Sequence, residues 1–193
     1  NLIVNPNPVA NTPNDLYACD DDYDFLLDFN FGQQTNAILG GQNPNQFTVT
    51  YHELEIEAFE GTNPISNVSY QAFDEQTIYA RVENNTTSCF DTTQFITHVN
   101  RKPLVEIPDQ VICLDNLPLT VFAGELVNGD TYLWSTNETA SEIEIDAIGT
   151  YWVTVTSPSG CETTTHFNVI ESEAATIEVT EILDGNTSGR FTR

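Results

Sequence analysis

The chain contains no methionine, and its five basic residues face 29 acidic ones, which gives a formal net charge of −24. A protein that binds nucleic acid needs a basic surface to displace counterions from the phosphates, so we expect no nucleic-acid partner. An anionic membrane surface is disfavoured for the same reason. The excess of acids favours solubility and the binding of divalent cations.

Two further absences concern export and metal binding. No apolar run is long enough to span a bilayer, so we expect no direct membrane insertion. Without methionine or a signal peptide, we expect the chain to be a piece of a longer protein. The four cysteines are widely spaced and form no Cys-x-x-Cys pair, which argues against a zinc site or a thioredoxin-type motif. Disulfides in an exported, oxidising setting fit this pattern better.

An internal repeat indicates two tandem domains. A proline-rich opening that leads to Cys19 recurs before Cys113, and residues 89–95 (Cys-Phe-Asp-Thr-Thr-Gln-Phe) have a counterpart at 161–167 (Cys-Glu-Thr-Thr-Thr-His-Phe). The predicted domains are 1–100 and 101–172, with 173–193 as the start of a further module or a tail.

Each predicted domain has one early and one late cysteine. The simplest pairing is therefore Cys19–Cys89 and Cys113–Cys161, one disulfide within each domain. Four cysteines allow three connectivities, so this choice depends on the repeat.

The secondary structure predicted from the sequence is almost entirely β. Residues 47–51 form a β-branched and aromatic run, and 142–147 alternate between acidic and apolar side chains, as in a half-buried strand. Glycine and proline clusters separate such runs at the spacing typical of a β-sandwich. One short helical turn is predicted at 53–59, where good helix formers gather.

Two aromatic side chains are predicted to point away from the cores. In residues 149–155, Tyr151 and two valines share the core face, and Trp152 lies on the other. Matching by burial places Tyr79 of the first domain opposite Trp152, whereas Trp134 is predicted to point inward. An outward aromatic can stack on a sugar or contact a neighbouring domain, although cover by the protein's own loops is commoner.

Carboxylates crowd around the first cysteine. The group comprises Asp20, Asp21, Asp22, Asp24 and Asp28. Like charges this close repel one another unless a cation lies among them, and acids at every second position resemble the front half of a calcium-binding loop. Calcium is therefore a candidate cofactor, and a solvated acidic turn is the alternative, because Phe25 stands where such loops usually carry glycine.

These residues carry a family resemblance. The segment Tyr-Leu-Trp-Ser from Tyr132, Gly-Thr-Tyr-Trp-Val-Thr-Val from Gly149 and the following Gly160-Cys161 resemble the PKD/immunoglobulin-like repeats of large exported Bacteroidetes surface proteins. The first domain, with Cys19-Asp20-Asp21-Asp22 and Thr-Ile-Tyr-Ala-Arg-Val from Thr77, is similar to the repeat that such proteins string together. The resemblance implies two tandem immunoglobulin-like (PKD-like) β-sandwiches.

The same resemblance implies a place at the bacterial cell surface. It implies type IX secretion, a gliding-motility-associated adhesin and an extracellular stalk or filament, with neighbouring repeats or subunits and surface glycans as partners. Asp91-Thr92 resembles the acceptor of Bacteroidetes O-glycosylation, which makes Thr92 a candidate glycosylation site; an ordinary strand threonine is the alternative.

Catalysis is the weaker class of function. His52, His98 and His166 show no metal-binding spacing and no nucleophile elbow lies near them, so we interpret them as surface or strand-face histidines. The preferred function is a non-catalytic structural or adhesive module. The alternatives are a glycan-binding module that uses Tyr79 and Trp152 and, less favoured, a fragment of a polysaccharide hydrolase, since paired acids can hydrolyse glycosides.

Overall fold

The computed structural model describes residues 7–113, 118–124 and 128–172. The chain divides into two units, Asn1–Lys102 and Pro103–Arg193, which we call unit 1 and unit 2. The predicted tail at 173–193 lies outside the described residues. In the part of the chain that the structure describes, no helix is long and apolar enough to cross a membrane.

The described part of unit 1, residues 7–102, contains six strands, two short α-helices and one 3-10 turn. In chain order they are β1 (Leu16–Asp20), β2 (Leu26–Phe29), the 3-10 turn (Phe31–Gln34), α1 (Thr35–Leu39), β3 (Phe47–His52), α2 (Glu55–Glu60), β4 (Tyr70–Phe73), β5 (Gln76–Asn84) and β6 (Phe90–Arg101). One sheet has the order β1-β6-β5-β3, with β1 parallel to β6, and β2 pairs with β4 in a second sheet.

Unit 2 repeats this order of strands. Its elements are β7 (Gln110–Ile112), β8 (Leu119–Phe122), β9 (Thr131–Trp134), β10 (Glu142–Ile145), β11 (Gly149–Thr156) and β12 (Glu162–Glu171). The larger sheet has the order β7-β12-β11-β9, with β7 parallel to β12, and β8 pairs with β10. The prediction of an all-β chain is confirmed, and the two units share one topology.

The registers of the two units also agree. Tyr79 lies opposite Gln94 across β5 and β6, and Trp152 lies opposite His166 across β11 and β12. Gln94 and His166 are five residues after the late cysteine of their own units. The predicted equivalence of Tyr79 and Trp152 is therefore confirmed by the hydrogen-bond register.

Each unit has its own core between its larger and smaller sheets. The first core joins residues of β2 and β4 to Ile78, Ala80 and Val82 of β5, and the second joins β8 and β10 to β9 and β11. Trp134 is fully buried, and its Nε1–H donates to the carbonyl of Ala140 at 2.8 Å, so its inward orientation is confirmed.

The loops of unit 1 hold two helices, of which the sequence predicted one. Helix α2 corresponds to the predicted turn, and α1 ends at Gly40, whose φ of 57° suits glycine. Helix α2 lies against β3 and β5 and covers Arg81, which is only 7% exposed. Arg81 lies on the same face of β5 as Tyr79, the face turned away from the core, and the helix buries it.

Candidate functional site

The two cysteines of each unit lie at opposite ends of its larger sheet. We call the end where the last strand begins the head, and the end where that strand finishes the tail. Cys89 and Cys161 directly precede β6 and β12 and so lie at the heads. Cys19 is in register with Asn100 near the end of β6, and Cys113 follows β7 beside Ser172, so these two lie at the tails.

The predicted disulfides within each unit are wrong. Cys19 and Cys161 are disulfide-bonded, whereas Cys89 and Cys113 are free thiols. The reason is distance: the partner of Cys19 in the register is eleven residues along β6 from Cys89. At about 3.3 Å per residue this separates the two cysteines by roughly 36 Å, far beyond the Cα separation of about 7 Å that a disulfide tolerates.

The sequence repeat located all four cysteines but not the ends of the sheet on which they lie. The sequence does not show that the first strand of each unit pairs in parallel with the last strand. This pairing places the early cysteine at the opposite end of the sheet from the late one. β6 runs for 12 residues after Cys89, and this length sets the distance between the two ends of the sheet.

The acidic loop begins where β1 ends, and Asp20 organises it. The buried carboxylate of Asp20 accepts N–H bonds from Tyr23 at 2.9 Å and Asp22 at 3.2 Å on one oxygen, and from Phe25 at 2.9 Å on the other. Tyr23 and Phe25 adopt positive φ angles of 63° and 62°. The backbone of this loop is thus wrapped around one carboxylate.

The pKa values of two carboxyls in the loop move in opposite directions. Burial alone would raise the pKa of Asp20, but the N–H bonds from Phe25, Tyr23 and Asp22 outweigh it and lower the pKa from its usual 3.8. For Asp22 the N–H of Asp24 lowers the pKa, yet the neighbouring carboxylates of Asp20 and Asp24 dominate and raise it. The negative charge of Asp20 is therefore stabilised by N–H donors, whereas the negative charge of Asp22 is repelled by its neighbours.

Three of the five predicted metal ligands come together. One oxygen each from Asp20, Asp22 and Asp24 lie within 4.8 Å of one another. Asp21 instead points towards Lys102, whose Nζ lies 3.9 Å away, and Asp28 is exposed on β2. Carboxylate oxygens suit calcium, but Asp20 already accepts three N–H bonds, so only part of its bonding capacity is left for a cation.

Tyr79 is half-buried beside a surface depression of about 350 Å³. Phe73, which is 53% exposed, lines it together with Glu53 and Glu75. An aromatic surface bordered by carboxylates can stack on a sugar ring and accept bonds from its hydroxyls. The depression gives the predicted Tyr79 site a shape that the sequence did not indicate.

The remaining candidates lie on sheet surfaces. Trp152 is half-buried opposite His166 on β12, and Thr92 is exposed on β6. Both positions are accessible, as a ligand contact or a glycosylation site requires. A ligand contact at Trp152 and a glycan at Thr92 stay predictions.

One histidine departs from the predicted surface placement. His52 is fully buried in unit 1, where its Nδ1–H donates to the carbonyl of Thr62 at 2.7 Å and its Nε2 accepts from the hydroxyl of Thr50 at 2.9 Å. Burial lowers the pKa of this imidazole below 6.5. Its neutral ring therefore joins β3 to the loop after α2.

Comparison with family models adds the most specific finding. Residues 15–103 match the model of the Flavobacterium inter-domain disulphide bond domain, FIDD. The match runs from the start of β1 to just beyond β6, so it covers the folded part of unit 1 and just under half of the chain. A search of curated proteins finds no match.

Solved structures with a likeness to the chain include several immunoglobulin-domain proteins. They include the four N-terminal immunoglobulin domains of Dscam1 (11% identity, TM-score 0.36, 86% of this chain and 45% of that one), Sidekick-1 domains 1–4 (10%, 0.29, 84% and 51%) and DIP-gamma domains 1 and 2 (8%, 0.34, 88% and 99%). The chain thus spans about half the length of the first two. The all-β assignment depends on the strand order described above.

Proposed function

We propose that this chain is an exported, non-catalytic structural module in which a disulfide between Cys19 and Cys161 ties two β-sandwich domains in series. The observation that carries the proposal is the state of the cysteines. Two of the four are bonded and two are free thiols, and the bonded ones belong to different units. A disulfide between Cys19 and Cys161 therefore joins the two domains.

The course of the chain through each unit supports this pairing. The backbone leaves unit 1 from the end of β6, at the tail that carries Cys19. It enters unit 2 at the head, where the carbonyl of Val105 accepts a bond from the hydroxyl of Thr165, near the start of β12. The bond therefore bridges the short connection at Lys102–Pro103. The family whose model residues 15–103 match is named for an inter-domain disulphide bond.

An extracellular setting is the companion proposal. Disulfides persist in exported proteins and are rare where thiols are kept reduced. The net charge of −24 disfavours nucleic acid and anionic lipid and suits a soluble, exposed surface. We extend the proposal to a stalk or filament of a bacterial surface adhesin, with type IX secretion and gliding motility as its expected context.

The bond has a mechanical consequence. A force applied to the two ends of the chain passes from Cys19 through the disulfide to Cys161, so residues 20–160 lie outside the loaded path. The strands between these cysteines then need not resist extension. Pro103 and Pro108 follow the boundary and stiffen the connection. The module behaves as a short, inextensible link.

Single-molecule pulling from the chain ends tests this function. Reducing the disulfide should release residues 20–160 and lengthen the fully extended chain by about 500 Å. The Cys161→Ser variant should show this length without reductant, and the Cys89→Ser plus Cys113→Ser variant, the matched control, should behave as wild type. An oxidised wild-type chain that extends as far as Cys161→Ser would overturn the proposal.

Calcium binding is a second proposal, favoured by the three carboxylates of Asp20, Asp22 and Asp24 within 4.8 Å of one another. A cation that binds only the folded state raises the melting temperature. We expect calcium to stabilise the wild type against a chelator-treated sample and to leave Asp22→Asn unchanged, with Asp28→Asn as the matched control. An equal melting temperature with and without calcium removes the site.

Glycan binding is a third proposal, favoured by the depression beside Tyr79. A glycan array with the wild-type chain, Tyr79→Ala and Trp152→Ala tests it. Loss of glycan binding in Tyr79→Ala alone would place the binding site at the depression. Loss in Trp152→Ala alone would place it on the larger sheet of unit 2. Absence of signal for all three proteins excludes the proposal.

A further inference from the structure

We propose that the depression beside Tyr79 recognises a positively charged sugar, and that a protonated amino sugar, such as a glucosamine unit of a polysaccharide, is its preferred ligand. The inference rests on the proposal that this depression binds glycans, and it names the chemical class of the glycan. Neutral sugars should bind there more weakly, and acidic sugars should not bind.

The depression has the size and the apolar surface that a sugar ring needs. Its volume of about 350 Å³ is at the lower end of the range usual for small-molecule sites. Leu54 and Phe73 line it with side chains that are more than half exposed, and the ring of Tyr79 lies in the same lining. The face of an aromatic ring carries partial negative charge, so it attracts a cation as well as the C–H groups of a sugar.

Every charged side chain in the lining is a carboxylate. Glu53, Glu55 and Glu75 contribute one each, and the described lining residues include no Lys, Arg or His. Within the described part of the chain, the carboxylates of Glu55 and Glu75 have no hydrogen-bond or ion-pair partner. Like charges on one concave surface repel one another, and a bound cation relieves this repulsion. An acidic sugar would increase it.

A chain of hydrogen bonds fixes one of these carboxylates. The Tyr70 hydroxyl donates to Glu53 at 2.6 Å, and the Gln76 amide donates to the Tyr70 oxygen at 3.4 Å. The Gln76 carbonyl in turn accepts the N–H of Phe73 at 3.2 Å. Burial and the bond to Glu53 raise the pKa of Tyr70, so its hydroxyl keeps the proton that it donates. A carboxylate that is already positioned loses less freedom when a ligand binds.

A lysine side chain of another protein offers the same ammonium group, but it matches the depression less well. Its alkyl chain presents no flat ring face to Phe73 and carries no hydroxyl groups. The carboxylates of Glu53, Glu55 and Glu75 together offer more acceptor oxygens than the N–H groups of one ammonium can fill. An amino sugar supplies hydroxyl donors for the remaining oxygens, so we favour a sugar as the source of the cation.

The other glycan candidate, Trp152, lies in different surroundings. It is opposite His166 on the outward face of the sheet of unit 2. On either side of it lie uncharged, hydrogen-bonded pairs: Thr150 with Asn168 at 2.8 Å and Thr154 with Thr164 at 2.7 Å. A sugar stacked on Trp152 therefore gains nothing from a positive charge at these pairs. Preference for an amino sugar should belong to the depression alone.

Calorimetric titration of the whole chain with two oligosaccharides of equal length tests this preference. One is a chitosan oligomer, which consists of glucosamine units, and the other is the chitin oligomer, whose N-acetyl groups remove the charge from the same backbone. A mildly acidic buffer keeps the amines protonated. We expect the chitosan oligomer to bind about tenfold more tightly. The difference should shrink with added salt, because exposed charges are screened.

Two sets of substitutions locate the preference. The first set replaces the carboxylates of the depression: Glu53→Gln, Glu55→Gln and Glu75→Gln. The matched control set replaces exposed acids of unit 2 and changes the net charge equally: Glu142→Gln, Glu144→Gln and Asp146→Asn. The first variant should bind both oligomers equally, since glutamine keeps an acceptor for Tyr70 but no charge, and the control should retain the preference. A preference that survives in the first variant, or disappears in both, would overturn the inference.

The remaining outcomes separate this inference from the proposal of glycan binding. If the wild type binds both oligomers equally and Tyr79→Ala binds neither, the inference is overturned and glycan binding at the depression stands. If neither oligomer binds the wild type, the inference fails, and the glycan array decides glycan binding by itself. A lysine peptide that binds more tightly than the chitosan oligomer, and fails to bind Tyr79→Ala, would overturn the inference in favour of a protein partner.

Discussion

Units 1 and 2 have the same six-strand order and the same placement of cysteines, yet their loops differ. Unit 1 has α1 and α2 beside its sheets and an acidic loop after β1. Unit 2 connects β9 to β10 by a short turn and holds both tryptophans of the chain. The shared features are those that place one cysteine at each end of a sheet. Within residues 7–113, 118–124 and 128–172, the features found in one unit alone are additions to that plan.

The difference extends to the way each unit covers the outward face of its sheet. In unit 1 Arg81 donates to the carbonyls of Ala58 and Phe59 at the end of α2, lies 3.6 Å from the centre of the Phe90 ring and bonds to Glu83. By register its counterpart in unit 2 is Thr154, whose hydroxyl lies 2.7 Å from that of Thr164. The buried guanidinium of Arg81 thus holds helix α2 against the sheet of unit 1. At the corresponding position unit 2 has Thr154 and Thr164.

The largest expected effect is in the core of unit 2. Trp134→Ala should destabilise this unit by about 3–5 kcal/mol, because it removes a fully buried aromatic and the bond to Ala140. Trp152→Ala, on the outward face, should cost about 1 kcal/mol or less. Urea unfolding followed by circular dichroism, with the remaining tryptophan as a reporter of unit 2, measures both. Equal losses would contradict the inward and outward assignment.

The next effect tests the attachment of α2. Arg81→Ala should destabilise unit 1 by about 2–3 kcal/mol, since it leaves the carbonyls of Ala58 and Phe59 without their charged donor. Thr154→Ala is the matched control and should change the stability of unit 2 by less than about 1 kcal/mol. Hydrogen exchange of the amides of α2 should rise in the first variant only; unchanged protection there would show that Arg81 does not hold the helix.

A smaller effect is expected in the acidic loop. Asp20→Ala leaves the N–H groups of Asp22, Tyr23 and Phe25 without their acceptor, so unit 1 should melt roughly several degrees lower. Asp21→Ala, at an exposed residue, should leave the melting temperature nearly unchanged. Calorimetry in the presence of chelator compares them without calcium. Similar melting temperatures for both variants would mean that Asp20 does not organise the loop.

The smallest effect is a pH dependence confined to unit 1. The pKa of His52 is lowered in the folded state, so the unfolded chain takes up the proton first as the pH falls below 6.5. Stability should be full above that pH and decline below it, by at most about 1.4 kcal/mol per pH unit. His52→Gln should flatten this decline between pH 7 and 5. If His52→Gln retains the full decline in stability, other titratable groups cause it.

The strands were predictable because their patterns are local. Ile78, Ala80 and Val82 alternate with polar or outward side chains, and Gly149–Thr156 shows the same period. Helix α1 has only five residues, too few to show a helical period, although its capping glycine, Gly40, belongs to a glycine cluster of the kind that predicts a break between strands. The disulfides were mispredicted for a different reason. Which end of a sheet holds Cys19 depends on the parallel pairing of β1 with β6, a contact distant in sequence.

Peptide mapping of the unreduced, alkylated 193-residue chain tests the central claim most directly. Proteolysis with the disulfides intact, followed by mass spectrometry, should give one linked pair that contains Cys19 and Cys161, with alkylated Cys89 and Cys113. Linked peptides that join Cys19 to Cys89 and Cys113 to Cys161 would contradict the account.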